Sequence, residues 1–149
     1  MQRPRILPPV YLAGAIGLML LLHVLAPLSQ MIVGAKRWEG LIFCAAGVLL
    51  GVWAARSFAR HGTTIKPGEV SSQLVTNGPF RFSRNPIYIG MIVMLAGVAV
   101  LLGSLTPWAV IPLFFWTIRR NIVPVEEAML TDAFGEKYRR YQKRVRRWV

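Results

Sequence analysis

Residues 85–118 of the chain read NPIYIGMIVMLAGVAVLLGSLTPWAVIPLFFWTI and contain no charged side chain. As one straight α-helix this stretch would be about 50 Å long, whereas the hydrocarbon core of a bilayer is about 30 Å thick. The stretch therefore has to fold back, and turn-forming residues interrupt its apolar run at residues 103–107. The pattern predicts two membrane spans, at about residues 86–102 and 106–122.

Two further blocks without charge lie at residues 6–35 and 40–55 and predict spans at about residues 9–33 and 38–57. With 54% hydrophobic residues, the composition is unlike that of a soluble domain or a disordered chain. We therefore expect one all-α domain over residues 1–149, a polytopic membrane bundle of four transmembrane helices.

The basic residues are distributed unevenly between the two sides of this bundle. All lysines and arginines except Lys36 and Arg37 fall in the N-terminus, the second connection or the C-terminal tail, which the four spans place on one side. Cytoplasmic segments of membrane proteins carry such an excess of positive charge. The prediction is an integral, multi-pass membrane protein with both termini in the cytoplasm.

The net charge of +12 and the basic tail at residues 137–147 are also typical of nucleic-acid binding. The tail, however, follows a predicted span on the cytoplasmic side, where anionic lipid head groups attract basic segments. We therefore predict contact with membrane lipids and no nucleic-acid partner.

The sequence predicts no metal site. Cys44 is the single cysteine, and the two histidines are His23, within the first span, and His61, in the cytoplasmic connection. This set is too sparse for a cluster of ligands within one chain. For His23 we expect an interhelical hydrogen bond.

Residues 76–90, TNGPFRFSRNPIYIG, carry polar groups just before the third predicted span. Asn85 suits an N-cap and Pro86 the first helical position, so a helix is expected to begin there. Free backbone N–H groups at a helix start favour an anion, and Arg81 and Arg84 would add two guanidinium groups. The two arginines either bind a carboxylate or phosphate or mark the membrane interface.

Beyond the fourth span, apolar or aromatic residues recur at helical spacing at positions 130, 134, 138, 141, 145 and 148. They predict a cytoplasmic amphipathic helix, interrupted at Gly135, that lies against the membrane or the bundle. Glu126 and Glu127 fall in its first turn. They either complement the helix dipole or accept ribose hydroxyls and stabilise a sulfonium cation.

The two segments together resemble the isoprenylcysteine carboxyl methyltransferase and phospholipid methyltransferase superfamily. The resemblance covers about residues 56–145 and leaves the first span unconstrained. Asn85 stands where many relatives have histidine, and residues 145–149 replace a Val-Pro-Arg element and a final proline. The matching pieces, in order, are HGTT at 61–64, LVTNGPFR at 74–81, RNPIYIG at 84–90, the pair Glu126 and Glu127, and FGEKYRRY at 134–141.

The resemblance implies a cytoplasmic pocket for S-adenosylmethionine, made from residues 61–90 and 119–145. It also implies transfer of a methyl group to a lipophilic small molecule or lipid. Among the catalytic residues, Glu127 is a candidate base, and Arg119 and Arg120 are candidates to orient an acceptor carboxylate. The implied cofactor-binding residues are Gly78, Pro79, Arg81, Arg84, Asn85, Pro86, Tyr88, Gly90, Glu126 and Glu127.

Several functions stay open at this point. An isoprenylcysteine-type carboxylate is the expected acceptor, and a phospholipid amine is the alternative. A non-catalytic membrane module that keeps the fold is a second possibility. A nicotinamide-dependent reductase related to the sterol reductases is a third, but those enzymes are considerably longer.

Overall fold

The structure, a computed structural model, describes residues 7–60 and 73–149. The described residues are helical apart from turns and one isolated bridge, so the expected all-α class is confirmed. The α-helices are α1 (Pro8–Leu25), α2 (Gly40–Arg60), α3 (Pro86–Leu102), α4 (Val110–Thr117), α5 (Val123–Phe134) and α6 (Glu136–Arg144). Short 3₁₀ turns lie at Gly34–Glu39, Gly78–Arg81 and Thr106–Ala109, and a π-helical turn lies at Ile118–Ile122.

Helix α1 is shorter than the predicted span at residues 9–33, because it ends at Leu25. Pro27 has no N–H group and disfavours the helical conformation in the residue before it. Ala26 accordingly has φ −146° and ψ 68°, and Leu28 has a positive φ of 32°. The prediction of a helix as far as residue 33 was therefore wrong.

Helices α2 and α3 pack closely along a seam of small residues. A Cβ atom on Gly47 would lie 2.4 Å from the carbonyl oxygen of Gly90, and one on Gly97 would lie 2.6 Å from that of Gly40. Such distances are too short for any side chain, so the two backbones touch directly. Small residues serve this purpose in membrane helix pairs, where van der Waals packing rather than water exclusion drives association.

The turn after α3 forms where the sequence predicted it. Gly103 ends the helix in the left-handed conformation with φ 76°. The guanidinium group of Arg37 donates to the last two carbonyl oxygens of α3, at 2.9 Å and 3.2 Å. A cation is favourable at a helix C-terminus, so Arg37 fastens the turn to the start of α2.

His23 lies beside this turn, with Nδ1 2.7 Å from the hydroxyl oxygen of Ser104. Ser104 is fully buried. The expected hydrogen-bonding role of His23 is confirmed, with its partner in the turn rather than on a helix.

The chain is helical without interruption from Thr106 to Phe134, so α5 continues the direction of the predicted fourth span. Pro124 cannot donate a backbone hydrogen bond and would clash in a regular helix. The π-helical turn immediately before it widens the helix at this point. The expected break at Gly135 is confirmed, since α5 ends at Phe134 and α6 begins at Glu136.

Two helical stretches, Pro8–Leu25 and Gly34–Arg60, are long and apolar enough to cross a membrane, and α3 is a shorter apolar helix. In each of them only 17% of an apolar window of 18 residues is buried. Their outward surfaces are therefore apolar, as a lipid environment requires. The four-span count and the cytoplasmic placement of the termini stay predictions.

Candidate functional site

The N-terminal end of α3 is built as its sequence predicts, with Asn85 at the N-cap and Pro86 at the first helical position. The side chain of Asn85 makes no capping hydrogen bond to the helix. Its Nδ2 group instead donates to the carbonyl oxygen of Arg147, at 2.9 Å. The cap residue therefore joins α3 to the C-terminal tail.

The tail after α6 is held against this helix start by several polar contacts. The backbone N–H of Arg84 donates to the carbonyl oxygen of Arg146 at 3.0 Å, and the hydroxyl of Ser83 donates to that of Arg147 at 3.1 Å. Farther on, the rings of Trp148 and Phe115 lie 4.8 Å apart between centroids. The last residues of the chain thus form one wall of the region around Arg84.

Glu127 lies at the centre of this region between two arginines. Nη1 of Arg84 is 3.0 Å from Oε1 of Glu127, and the Nε and Nη2 groups of Arg147 donate to its two carboxylate oxygens. The side chains of Arg84 and Glu127 are each only 13% exposed. The two segments that the sequence singled out therefore meet. Arg84, Glu127 and Arg147 form a charge cluster with a largely buried centre. Removing one member would leave a charge without its partner and lower the stability of the fold.

Arg84 is only partly satisfied by these contacts. Its Nε and Nη1 atoms are buried and have no hydrogen-bond acceptor among the described residues, although Nη1 is close to Glu127. The short distance reflects charge attraction without the alignment that a hydrogen bond needs. Buried donors without an acceptor are rare in native proteins, so Nε and Nη1 of Arg84 are candidates to bind a group that is not among the described residues.

Glu126 points to a different partner, the hydroxyl of Tyr88, which donates to Oε1 at 2.7 Å. Burial raises the pKa of Glu126 from 4.5 to about 7, and the neighbouring Glu127 adds to the rise, while the Tyr88 hydrogen bond opposes it. Near neutral pH this carboxyl group can therefore exist in both protonation states. Such a group is suited to accepting or releasing a proton.

Two tyrosines of α6 attach that helix to the site. Tyr138 and Tyr141 are buried on one face, and the hydroxyl of Tyr141 donates to the carbonyl oxygen of Phe80 at 2.7 Å. Burial raises the pKa of both tyrosines, and nearby Arg84 counteracts part of the rise. Their spacing of three residues, Tyr-x-x-Tyr, is what places them on the same face of the helix.

Other residues predicted from the sequence lie farther out or have packing roles. Gly78 has a φ of +62°, and a Cβ there would lie 2.7 Å from Oγ of Ser57, so this residue packs against α2. Pro79 is buried beside it and Arg81 is exposed. Gly90 belongs to the seam between α2 and α3.

Arg119 and Arg120 lie on the π-helical turn, and both side chains are exposed. The guanidinium carbon of Arg120 is 5.9 Å from the ring centroid of Trp116. Among the described residues the ion pairs of Glu127 are with Arg84 and Arg147, so the expected acceptor-orienting role of Arg119 and Arg120 stays a prediction. The HGTT stretch at 61–64 lies outside the described residues.

Arg147 is the member of the charge cluster that the sequence analysis did not identify. It lies among many basic residues of the tail, and we had interpreted those residues as lipid contacts. Its one distinguishing signal is position, because it stands in the element that replaces the Val-Pro-Arg sequence of the relatives.

Comparison with known proteins agrees with this geometry. Residues 35–137, well over half of the chain, match the family described as phospholipid methyltransferase. The chain is 30% identical to protein-S-isoprenylcysteine O-methyltransferase A of Arabidopsis thaliana, over 87% of this chain and 70% of that protein. It is 33% identical to the protein-S-isoprenylcysteine O-methyltransferase of Schizosaccharomyces pombe, over 48% of this chain and 30% of that protein.

A relative with a different name is the cobalt-zinc-cadmium resistance protein CzcN of Cupriavidus metallidurans, 27% identical over 73% of this chain and 52% of that protein. The chain thus spans about a third to a half of the length of the Schizosaccharomyces and Cupriavidus proteins. No solved structure matches the chain. The extent of the family match and the similarity to the Arabidopsis protein show that this chain belongs to the phospholipid methyltransferase family, which the sequence motifs had indicated.

Proposed function

We propose that the protein is a membrane methyltransferase that takes its methyl group from S-adenosylmethionine and transfers it to a lipophilic acceptor. The observation that carries the proposal is the meeting of Arg84 with Glu127 beside the Tyr88–Glu126 pair, in a chain of a methyltransferase family. Structural packing alone gives no reason to place two acidic side chains and the largely buried Arg84 at one helix start.

The residues around Arg84 fit the polar groups of this cofactor. The buried Nε and Nη1 groups of Arg84 lack acceptors among the described residues, and a carboxylate such as that of the methionine moiety would supply them. The carboxyl groups of Glu126 and Glu127 offer acceptors for ribose hydroxyls and negative charge for a sulfonium. When bound, S-adenosylmethionine supplies an electrophilic methyl group.

The protein's own contribution is mainly positioning, because displacement at a sulfonium requires an aligned acceptor and no covalent intermediate on the enzyme. Arg147 acts as a positioning residue, since its two donors hold the carboxylate of Glu127 toward Arg84. The contacts of the tail with Ser83 and Asn85 fix Arg147 in turn.

The class of acceptor decides whether a base is needed. A carboxylate acceptor, which would agree with the O-methyltransferase names of the Arabidopsis and Schizosaccharomyces relatives, reacts without losing a proton. An amine acceptor has to release one. Glu126, with a pKa near 7, is better suited to receive it than Glu127, which is bound by two guanidinium groups.

The proposed setting is the cytoplasmic face of a four-span bundle. The apolar outward surfaces of α1 and α2 and the basic residues around the site support this orientation. A lipophilic acceptor would then reach the site laterally from the bilayer. Arg119 and Arg120, exposed after the apolar helix α4, are placed where they can orient an acidic head group.

Calorimetric titration of the detergent-purified protein with S-adenosylmethionine and with S-adenosylhomocysteine tests the first step. Replacing Glu127→Gln or Arg84→Ala should weaken binding about 30-fold or more, as expected when one partner of a buried charge pair is lost. The control is Arg146→Gln, because Arg146 contributes a backbone carbonyl and its side chain is exposed. Absence of measurable binding to either compound, or equal affinity of all variants, would disprove the proposal.

The acceptor class is tested by incubating membranes that contain the protein with methyl-labelled S-adenosylmethionine and extracting the lipids. A methyl ester releases volatile methanol on treatment with base, whereas an N-methyl amine keeps its label. Label that survives base would favour a phospholipid amine and would assign the proton-accepting role to Glu126. Replacing Glu126→Gln should then reduce amine methylation far more than cofactor binding.

A further inference from the structure

A cavity outside the charge cluster opens between α6 and the segment that precedes the Gly78–Arg81 turn. Its volume is about 480 Å³, within the range of small-ligand sites in proteins. Three cationic side chains of α6 line it, those of Lys137, Arg140 and Arg144. They recur at intervals of three and four residues and therefore share one side of the helix.

Among the described residues, the positive charge along this cavity has one acidic partner. Arg140 lies 3.7 Å from Glu136, but both side chains are largely exposed, at 76% and 60%. Exposed ion pairs contribute little and exchange partners readily. Lys137 and Arg144 are exposed as well, so the cavity presents cations that remain available to an anion.

The other residues that line the cavity are largely apolar. Leu74, Phe134 and Tyr141 contribute apolar surface, and Gln73 and Thr76 are the two uncharged polar residues. Leu74, Phe134 and Tyr141 belong to a hydrophobic cluster that also includes Phe80, whose ring packs edge-on against Phe58 near the end of α2. The cavity therefore lies level with the end of an apolar helix of membrane-spanning length.

We propose that this cavity binds the phosphate head group of an anionic phospholipid as a bound, non-reacting ligand. The cations are opposite in sign to a phosphodiester and can donate several hydrogen bonds to its oxygens, and the apolar lining side chains suit the glycerol and the first part of an acyl chain. A free phosphate ion would gain from the cations but not from Leu74 and Phe134. This proposal does not depend on methyl transfer, because an anionic lipid such as phosphatidylglycerol has no amine to methylate.

Native mass spectrometry of the full-length protein, released from dodecyl maltoside micelles with equimolar phosphatidylglycerol and phosphatidylcholine, measures the selectivity. The double variant Lys137→Gln with Arg144→Gln should bind phosphatidylglycerol about 10-fold less than the unaltered protein. The matched control is Arg139→Gln with Lys143→Gln, which removes the same two charges from exposed positions of α6 that do not line the cavity. We expect the control to stay within about 2-fold of the unaltered protein.

Each other outcome overturns the proposal. Equal losses in both double variants would indicate a non-specific basic surface, and equal binding of the two lipids would show that head-group charge is not recognised. Displacement of phosphatidylglycerol by inorganic phosphate alone would indicate a phosphate-ion site. A circular dichroism spectrum and a melting temperature equal to those of the unaltered protein establish that each variant is folded, so that a binding result can be interpreted.

Discussion

Helix α3 takes part in two contacts of different kinds. Along its length it packs against α2 in the glycine seam, and at its start lies the charge cluster. The seam is made from glycine backbones in direct contact, and its residues repeat along the helix axis. The charge cluster joins groups that are far apart in the chain, from Arg84 through Glu127 to Arg147. The seam therefore depends on local spacing, whereas the cluster depends on the fold being complete.

The largest effect is expected in the charge cluster. Glu127→Gln removes the carboxylate that two arginines share in a largely buried place, and this should lower the free energy of unfolding by about 3 kcal/mol. Thermal unfolding of the cofactor-free protein in detergent measures it. The control is Glu136→Gln, at an exposed position of α6, for which the free energy of unfolding should change by less than about 0.5 kcal/mol. Equal stability losses would show that Glu127 is not buried as described.

The seam should respond to a single methyl group. Gly47→Ala places a Cβ atom 2.4 Å from the Gly90 carbonyl oxygen, so the helices have to separate, at a cost of about 2 kcal/mol. Gly51→Ala on the same helix is the matched control, because no atom lies within 4 Å of its Cβ position. The control should be neutral or slightly stabilising, since alanine favours helix more than glycine does. A lower unfolding temperature for the control than for Gly47→Ala would contradict the described seam.

Glu126 gives the charge cluster a pH dependence that the seam lacks. Its pKa is about 7 in the folded protein and about 4.5 in an exposed chain, so between these values the folded state holds a proton that the unfolded state has released. Stability should therefore fall as the pH rises through this window, by about 2 kcal/mol between pH 5 and pH 8. Unfolding temperatures of the unaltered protein and of Glu126→Gln, compared at pH 5 and pH 8, measure the contribution.

The stability of the unaltered protein, measured relative to Glu126→Gln, should be greater at pH 5 than at pH 8. A difference between the two proteins that is independent of pH would show that Glu126 titrates in its ordinary range. Glu127 and Tyr88 face the same carboxyl group, so both stay unchanged in this comparison.

The smallest effect is expected at the opposite end of α3. Ser104→Ala removes the hydroxyl that pairs with His23 and should lower the free energy of unfolding by about 1 kcal/mol. The substitution should leave S-adenosylmethionine binding unchanged, since Ser104 follows the C-terminal end of α3 and the charge cluster lies at its N-terminal end. A loss of cofactor affinity with unchanged stability would contradict this assignment.

The sequence predicted those features that local chemistry determines. Asn85 and Pro86 begin α3, Gly103 ends it, and Gly135 separates α5 from α6, because each residue has the conformational preference that its position needs. The meeting of Arg84 and Glu127 was also expected, but from family resemblance and membrane sidedness rather than from periodicity.

The features that were missed involve contacts between distant segments or the positions at which helices end. The overlong first span came from counting uncharged residues without allowing Pro27 to end the helix. The amphipathic helix was expected as an element separate from the fourth span, whereas the π-helical turn before Pro124 lets the chain continue into it without a break. Arg147 was indistinguishable from its basic neighbours, since its contact with Glu127 depends on the tail folding back over α3.

The π-helical turn at Ile118–Ile122 sets the direction in which the side chains after it point around the helix axis. Such a turn accommodates about one residue more than an α-helical turn, and each residue of an α-helix rotates the next by about 100°. The acidic pair is therefore swung by about that angle relative to an unbroken α-helix, while Arg119 and Arg120 keep facing outward. The extra residue therefore determines toward which side of the helix Glu126 and Glu127 point. Deleting Asn121 would let the turn close as a regular α-helix and leave Glu127 facing Arg84, whereas forcing the full-length turn into α-helical geometry would turn Glu127 away without altering a single charge.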